Sequence, residues 1–313
     1  MRAAWVIGSG GMLGKALAFA LETDALTTLF TRPFDWASPA MLRAQFASAV
    51  ESFAEAASQA SAWEIYWTAG TGTFASSQEA MAQETESLRL LLGALQAHPH
   101  LCHAPGCLTL ASSAGAIYAG SREYVITEST PTAPTTAYAR EKLVHERLLT
   151  DFAAGFPNMR VFLARISTIY GTGQARHKAQ GLLTHVARCV LRNKPVHIYV
   201  PFDTIRDYIA AADAARELLR GARTVAVNRG ATMKLVASEH PVTIAEIIGH
   251  FNKIARRNTR VITSANQLSA LYQKRIQFRS IVQADGPAPV RTPLLIGLSQ
   301  LFADERRLLA LGQ

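Results

Sequence analysis

Cysteine is scarce in this sequence, which has 313 residues and only three cysteines. Three cysteines cannot form a closed disulfide framework, so we expect a reducing compartment, the cytoplasm. Long apolar runs are also lacking, because no stretch approaches the roughly 18–20 uninterrupted apolar residues of a membrane span. The apolar run at the start is too short for a signal peptide and leads into a glycine cluster. We therefore expect no membrane partner.

Charged residues make up only 18% of the chain, against 49% hydrophobic residues. Such a chain can bury a large core, and its length suggests about two domains. The net charge of +9 is uneven: residues 1–150 hold 9 Lys and Arg against 13 Asp and Glu, whereas residues 151–313 hold 23 against 10. A basic second half indicates nucleic acid, an acidic membrane surface or a phosphorylated small molecule as partner, or simply a soluble basic surface.

Short apolar runs alternate with helical patterns over the first 170 residues. Strands are predicted at 3–7, 26–31, 63–67, 107–111 and 160–166, and helices at 12–21, 39–60, 78–97 and 137–152. Near-continuous apolar strands between helices predict an α/β fold whose parallel sheet is covered on both faces. Later segments are less regular, with helices at 182–192, 209–220 and 243–255, a strand at 196–200 and a strand-like segment at 224–228. The last 50 residues show no clear pattern.

A glycine cluster, Gly8-Ser-Gly-Gly-Met-Leu-Gly14, follows the first predicted strand and opens the first predicted helix. Glycine permits a tight turn and close approach of a diphosphate, and the helix N-terminus offers free N–H groups to the phosphates. The spacing is G-x-x-G-x-x-G rather than G-x-G-x-x-G, because Leu13 occupies the last slot. The strand before and the helix after predict a dinucleotide site, with a purely structural turn as the alternative.

The end of the second predicted strand bears on which dinucleotide is bound. It reads Phe30-Thr31-Arg32, without the carboxylate that would hold the ribose 2′-hydroxyl of NAD. Arg32 can instead pair with a 2′-phosphate, which favours NADP over NAD, although a solvated surface arginine is the alternative. Asp35, just beyond, is a candidate to meet the adenine ring.

Tyr138 and Lys142 lie four residues apart at the start of a predicted helix. Positions i and i+4 share a helix face, so the ammonium can reach the neighbourhood of the hydroxyl. A free tyrosine, with a pKa of about 10, is a poor base at neutral pH, but a nearby ammonium stabilises the phenolate. Tyrosine then becomes a usable proton donor or acceptor. Upstream, Ser112 and Ser113 end a predicted strand, where a hydroxyl can bond a substrate oxygen beside the tyrosine.

Six motifs occur in a characteristic order. They are GSGGMLG at 8–14, Thr68-Ala69-Gly70, LASSAGAIY at 110–118, YAREK at 138–142, RISTIYGTG at 165–173 and IRDYIAAADAA at 205–215. Over roughly residues 3–230 the chain resembles the extended short-chain dehydrogenase/reductase family, in its nucleotide-sugar epimerase, dehydratase and reductase branch. The resemblance implies a Rossmann-like doubly wound parallel sheet that binds NAD(P), with a smaller mixed C-terminal substrate domain. We expect the first domain at 1–170 plus about 203–229, and the second at 171–202 plus 230–313.

Family roles carry over to matching positions. Tyr138 would be the acid/base, Lys142 its partner and nicotinamide-ribose ligand, and Ser113 the donor to the substrate oxygen. Ser112 is the fallback, because the serine register is ambiguous by one. Arg206 matches a position that often binds the substrate diphosphate. The implied cofactor contacts are Gly8, Gly10, Gly11, Met12, Leu13, Gly14, Arg32, Asp35, Ala69, Gly70, Tyr138 and Lys142.

Departures from the family pattern narrow the expected reaction. Dehydratases of the family follow the hydroxyl residue with an Asp-Glu pair, whereas Ala114-Gly115 stand here. No carboxyl is then placed to move the proton of a 4,6-dehydration, so this reaction is disfavoured. The compressed region after Arg32 resembles the sugar-nucleotide 4-ketoreductases. We therefore expect 4-keto reduction or epimerisation of a nucleotide-diphosphate sugar, in a homodimer formed through helices near 78–97 and 137–153.

Other functions were weighed against this one. A catalytically idle NADP-binding regulator is the main alternative, although such a protein has no need of the Ser, Tyr and Lys set. The arginines at 256, 257 and 260 lack interleaved aromatics, so a solvated helix face is favoured over nucleic-acid binding. The histidines and cysteines at 98–107 have short spacings like those of zinc ligands, but an ordinary loop is expected there and no metal. The leucine stripe of residues 88, 91, 92 and 95 indicates core or a dimer seam.

Overall fold

The first half of the chain alternates strands and helices in this computed structural model, which describes residues 1–173, 181–226, 230–264, 275–283 and 290–311. Its elements are β1 (Arg2–Ile7), α1 (Met12–Glu22), β2 (Thr27–Phe30), α2 (Pro39–Ser58), β3 (Ala62–Trp67), α3 (Gln78–Gln96), α4 (Pro99–His103), β4 (Gly106–Ser113), α5 (Ala114–Ile117), β5 (Val125–Ile126), α6 (Ala137–Ala154) and β6 (Met159–Ile166). The strands and long helices predicted for this half are therefore confirmed, with small shifts at their ends.

The second half contains shorter strands between helices. Its elements are β7 (Thr168–Tyr170), α7 (Leu182–Leu191), β8 (Val196–Ile198), β9 (Ile205–Arg206), β10 (Tyr208–Ala210), α8 (Ala211–Arg220), β11 (Gly230–Val236), β12 (Val242–Thr243), α9 (Ile244–Ala255), β13 (Val261–Thr263), β14 (Gln277–Phe278) and α10 (Leu294–Ala310). The predicted start of α9 is confirmed, because Thr243 and Glu246 form a capping box. Within the described ranges, no helix is both long and apolar enough to cross a membrane.

The main sheet has six strands in the order β11-β6-β4-β3-β1-β2. Every neighbouring pair is parallel. On β1, side chains alternate between the faces: Trp5 packs with Phe46 and Phe53 of α2, whereas Val6 packs with Leu17 of α1. Helices cover both faces, as parallel strands require, so the Rossmann-like α/β fold is confirmed.

The leucine stripe of α3 belongs to the core. Leu88, Leu91, Leu92 and Leu95 are all buried within the same cluster as Trp5. A single chain therefore satisfies their burial without a second copy. The homodimer expected through α3 and α6 stays a prediction.

Besides the hydrophobic clusters on the two faces of the main sheet, another cluster lies outside the sheet. There α7, α9 and α10 pack together around Val186, Phe251 and Leu298. It corresponds to the smaller domain expected from the sequence. One strand differs from that expectation, because β11 pairs with β6 at the edge of the main sheet although 230–313 was assigned to the smaller domain. The domain boundaries as a whole stay a prediction.

The segment expected to be strand-like at 224–228 differs from the prediction. Gly221–Val225 forms one π-helical turn after α8, and 227–229 lie outside the described residues. This turn directs the Arg223 side chain towards Glu64, a fully buried carboxylate of β3. The Nε of Arg223 donates a hydrogen bond to Glu64 Oε1 at 2.9 Å. The same guanidinium donates to Asp24, and this hydrogen bond is the main cause that lowers the pKa of Asp24 to about 2. Pairing the buried charge outweighs the β propensity of Thr224 and Val225.

Gly221 offers a test of this packing. A Cβ built at this position overlaps the ring of Phe162, whereas a Cβ on Gly249 in α9 meets nothing within 4 Å. We expect Gly221→Ala to lower the free energy of unfolding by about 1–3 kcal/mol, the usual cost of overpacking a core. Gly249→Ala is the matched control and should raise it by up to about 1 kcal/mol through helix propensity. Urea unfolding measures both, and equal stabilities would contradict the packing described here.

Candidate functional site

A cavity of about 920 Å³ opens where the main sheet ends at its carboxyl edge. Residues that follow β1 and β3 line it, as does Ser113 at the end of β4. The opposite wall comes from β8 and β9, which belong to the second half of the chain. The crevice outside the carboxyl ends of parallel strands is the usual ligand site of this fold.

The glycine turn forms one end of the cavity, and Gly8, Gly10, Gly11 and Met12 line it. Gly8 has a φ of +91°, and a Cβ there would lie 2.5 Å from the amide nitrogen of Ala69. A Cβ on Gly14 would overlap the carbonyl oxygen of Gly8. These two glycines therefore bring β1, α1 and the loop after β3 into direct contact, which no other residue type allows.

The loop after β3 is held by Glu84, a residue of α3 that the sequence analysis missed. Glu84 Oε1 accepts hydrogen bonds from the backbone N–H groups of Thr71 (2.5 Å) and Gly72 (2.6 Å). Its Oε2 is buried without a hydrogen-bond partner in the described chain. Glu84, Ala69 and Gly70 all line the cavity. One carboxylate therefore fixes the loop that faces the glycine turn.

Ser113 and Tyr138 open onto the same cavity. Tyr138 lies in the first turn of α6, whose start is fixed because the Thr136 side chain accepts from the Ala139 N–H. Lys142 is 4% exposed, and its Nζ lies 5.5 Å from the centroid of the Tyr138 ring. Ser113 precedes α5, and its hydroxyl is not used to cap that helix. Ser113 and Tyr138 thus line one cavity, and the Lys142 ammonium lies next to the Tyr138 ring.

Ser112 points the other way. It is 5% exposed, and its hydroxyl donates to Glu146 Oε1 at 2.7 Å beneath the cavity. Successive residues of a strand face opposite sides, so only one of the two serines can face a ligand. Ser113 is the one of the two that lines the cavity.

Arg206 lines the opposite wall together with two aromatic residues of β8 and the segment after it. The rings of His197 and Tyr199 stack at 6.4 Å between centroids and 22° between planes. Asp207, beside Arg206, is buried and accepts from the hydroxyls of Ser167 (2.6 Å) and Ser238 (2.8 Å). Arg206 was predicted from the sequence, whereas the aromatic pair was not, because no motif marks it.

Two expected cofactor ligands after β2 have contacts outside the cavity lining. Arg32 donates from Nη1 to the Ser48 hydroxyl at 3.2 Å, and Asp35 accepts from the backbone N–H of Ala37. Trp36 forms the wall next to them and meets Trp67 edge to face, with centroids 6.0 Å apart. Among the described residues, the cavity lining does not include Leu13, Gly14, Arg32, Asp35, Ser112 or Lys142.

The cysteines considered for a metal site and the arginines considered for nucleic-acid binding make contacts within the protein. The Cys102 thiol donates to the Leu95 carbonyl at 3.3 Å, and burial raises the pKa of the Cys107 thiol to about 12. Arg257 and Arg260 donate to the carbonyls of Val190 and Asn193, where α7 ends. Both arginines therefore contribute to packing of the second half.

The turn before α1 fits a diphosphate. α1 has no side-chain cap at its N-terminus and no acidic residue in its first turn. Its free N–H groups and its dipole therefore remain available to an anion. Nothing lies within 4 Å of a Cβ built on Gly10, so a ligand can approach the backbone closely.

Comparison with known proteins finds solved structures that share this fold. MoeE5, solved with UDP-glucose and NAD, is 20% identical, with 99% of this chain and 100% of that chain covered and a TM-score of 0.77. The UDP-glucose 4-epimerase of Thermotoga maritima, solved with UDP-glucose, is 15% identical, with 99% and 100% covered and a TM-score of 0.77. RMD of Pseudomonas aeruginosa, solved with NADPH, is 20% identical, with 98% and 100% covered and a TM-score of 0.75. These likenesses establish the shared fold.

A family model also matches residues 4–233 of the chain. That match spans the main sheet, the glycine turn, Ser113, Tyr138, Lys142 and Arg206. The resemblance inferred from the six motifs is thereby confirmed. The chain belongs to the NAD dependent epimerase/dehydratase family.

Proposed function

We propose that the protein is an NAD(P)-dependent oxidoreductase that reduces or epimerises a nucleotide-linked sugar at a carbinol or ketone carbon. The observation that carries the proposal is that Ser113 and Tyr138 share one cavity with the glycine turn and with Arg206. A diphosphate-binding turn, a proton-transfer group and a second cation around one space suit a dinucleotide and a sugar nucleotide bound side by side. The nucleotide-sugar ligands of MoeE5 and of the Thermotoga maritima epimerase support the substrate class.

The residues of this chain divide the chemistry between them. A nicotinamide dinucleotide held at the glycine turn would supply or accept the hydride. The Ser113 hydroxyl holds the sugar oxygen, and the Tyr138 hydroxyl exchanges a proton with that same oxygen. Lys142, buried and 5.5 Å from the Tyr138 ring centroid, stabilises the phenolate by charge attraction. Arg206 binds the substrate diphosphate, and the stacked His197 and Tyr199 offer a flat surface to a nucleobase.

Tyr138→Phe tests the proton transfer. With a panel of UDP-, GDP- and dTDP-sugars, we expect the variant to lose about 100-fold or more in kcat, the usual contribution of an acid/base group. Binding of NADPH and NADH should stay within a factor of about two, because the ring is kept. Tyr124→Phe, at a residue that is 70% exposed, is the matched control.

The same assay separates the candidate functions. A reductase consumes one NADPH for each sugar nucleotide reduced, so the absorbance at 340 nm falls. An epimerase forms a new sugar nucleotide without a net change in this absorbance. Full activity of Tyr138→Phe would refute the mechanism. Tight dinucleotide binding without turnover of any sugar nucleotide would favour the catalytically idle regulator, against which the intact Ser113, Tyr138 and Lys142 argue.

We further propose that NADP is preferred over NAD, with Arg32 as the residue that recognises the 2′-phosphate. Its guanidinium follows β2 and is held by the Ser48 hydroxyl, and Trp36, four residues further along the chain, lines the cavity. Arg32→Ala should weaken NADPH binding by about 10- to 100-fold and leave NADH unchanged, since a charge-assisted hydrogen bond contributes about 1.5–3 kcal/mol. Arg43→Ala, which removes an equal charge from α2, is the control. An unchanged NADPH/NADH ratio of dissociation constants would overturn this preference.

The loop held by Glu84 gives an independent test of the cofactor site. Glu84→Ala frees the N–H groups of Thr71 and Gly72, so the loop facing the glycine turn loses its anchor. We expect dinucleotide affinity to fall by about tenfold, the effect of a charge-assisted hydrogen bond of about 1.5 kcal/mol. Glu86→Ala, at an exposed carboxylate of the same helix, is the control. Quenching of tryptophan fluorescence reports binding, because Trp36 and Trp67 line the cavity. Equal affinities for the two variants would show that the loop does not contribute.

A further inference from the structure

Four buried side chains form a polar cluster beneath the candidate site, here called the Glu146 cluster: Ser112, Tyr118, Glu146 and Arg165. Arg165 donates from Nε to Glu146 Oε1 at 3.0 Å and from Nη2 to Oε2 at 2.7 Å. Its Nη1 donates to the Tyr118 hydroxyl at 2.5 Å, and Ser112 donates to Glu146 Oε1 at 2.7 Å. All four residues are less than 9% exposed. None of them lines the cavity within the described chain.

The cluster connects the two elements that carry the reacting groups. Glu146 lies on α6, four residues after Lys142 and eight after Tyr138, so all three share one helix face. Ser112 lies on β4 directly before Ser113. The hydrogen bond from Ser112 to Glu146 therefore ties the helix of the phenol to the strand of the hydroxyl. Arg165 on β6 holds the same carboxylate from the neighbouring strand.

Stabilisation of the fold does not by itself account for the burial of the ion pair between Glu146 and Arg165. Removing two charges from water costs several kcal/mol each, and apolar side chains of equal volume often give a fold that is equally stable. Hydrogen bonds differ from apolar packing in direction, because they weaken steeply when the donor moves off line. A carboxylate that accepts four hydrogen bonds from side chains of two strands thus limits how far α6 can slide or rotate over the sheet.

We infer that Glu146 and Ser112 are positioning residues that fix Tyr138 and Lys142 relative to Ser113. The inference rests on the proposed function of these three residues. Neither positioning residue touches the cavity, so neither binds ligand. They act by holding the phenol and the serine hydroxyl at the separation at which both can reach one substrate oxygen. Small displacements of reacting groups are costly, since a shift of about 1 Å can reduce a rate about 100-fold.

Two single-hydroxyl deletions test the inference. Ser112→Ala removes the hydrogen bond between β4 and α6. Tyr118→Phe removes a hydrogen bond from the same Arg165 and keeps the ring, 5.3 Å from the guanidinium carbon, but it does not link β4 to α6. We expect kcat to fall about 10- to 100-fold in Ser112→Ala and to stay within about twofold in Tyr118→Phe. KM and the dissociation constant of NADPH should stay within about twofold in both variants.

Hydrogen exchange provides a readout that needs no turnover. Peptides covering 137–146 should exchange several-fold faster in Ser112→Ala than in the wild type or in Tyr118→Phe. Equal kcat values for the two variants, or equal exchange, would overturn the inference. So would a loss in Ser112→Ala that appears in NADPH affinity rather than in kcat. If the wild type turns over no sugar nucleotide, the proposed function fails, while the exchange experiment still decides whether Ser112 holds α6.

Discussion

All six strands of the main sheet run in one direction, and this parallel order dictates where the chemistry can be placed. The carboxyl ends of β1, β3 and β4 meet at one edge, so Gly8, Ala69 and Ser113 reach a common cavity. The direction of the strands does not fix the position of Tyr138, because this residue lies on a helix that packs on the face of the sheet. Its position depends on how α6 is attached to the strands beneath it, which gives the Glu146 cluster its importance.

Much of this arrangement could be predicted from the sequence. Apolar strands between helices indicate the parallel sheet, and the glycine cluster and the Tyr138–Lys142 spacing indicate the site, because each is a local pattern with a local physical cause. Ser113 was predicted as the donor, with a register ambiguous by one, since a strand fixes only that successive residues face opposite sides. In the structure Ser113 lines the cavity, whereas Ser112 is bonded to Glu146, which lies 34 residues away along the chain.

Other features depend on contacts between distant parts of the chain. Thr224 and Val225 belong to the segment 224–228 that was expected to be strand-like, but both lie in the π-helical turn of Gly221–Val225 despite their high β propensity. What decides its conformation is Glu64, a buried charge that lies 159 residues before Arg223. Glu84 and the His197–Tyr199 pair were missed for a related reason. A single carboxylate or ring carries no sequence signal until the fold brings a loop or a cavity beside it.

The uneven charge of the chain also has an internal explanation. The acidic first half supplies Glu146, Glu64 and Asp24, and the basic second half supplies Arg165 and Arg223 as their partners. Part of the positive surplus therefore neutralises buried carboxylates of the other half. Net charge alone is therefore a weaker indication of an external polyanion, and Arg206 is the cation of the second half that lines the cavity in the described chain.

The pairing of β11 with β6 has a consequence for synthesis of the protein. The edge strand β11, which pairs with β6, begins only at Gly230, after most of the chain has been synthesised. Arg223, the bidentate partner of Glu64, also comes late in the chain. Until these residues are synthesised, β6 is therefore an edge strand with unpaired backbone groups on one side, and the sheet of the amino-terminal half lacks its last pairing.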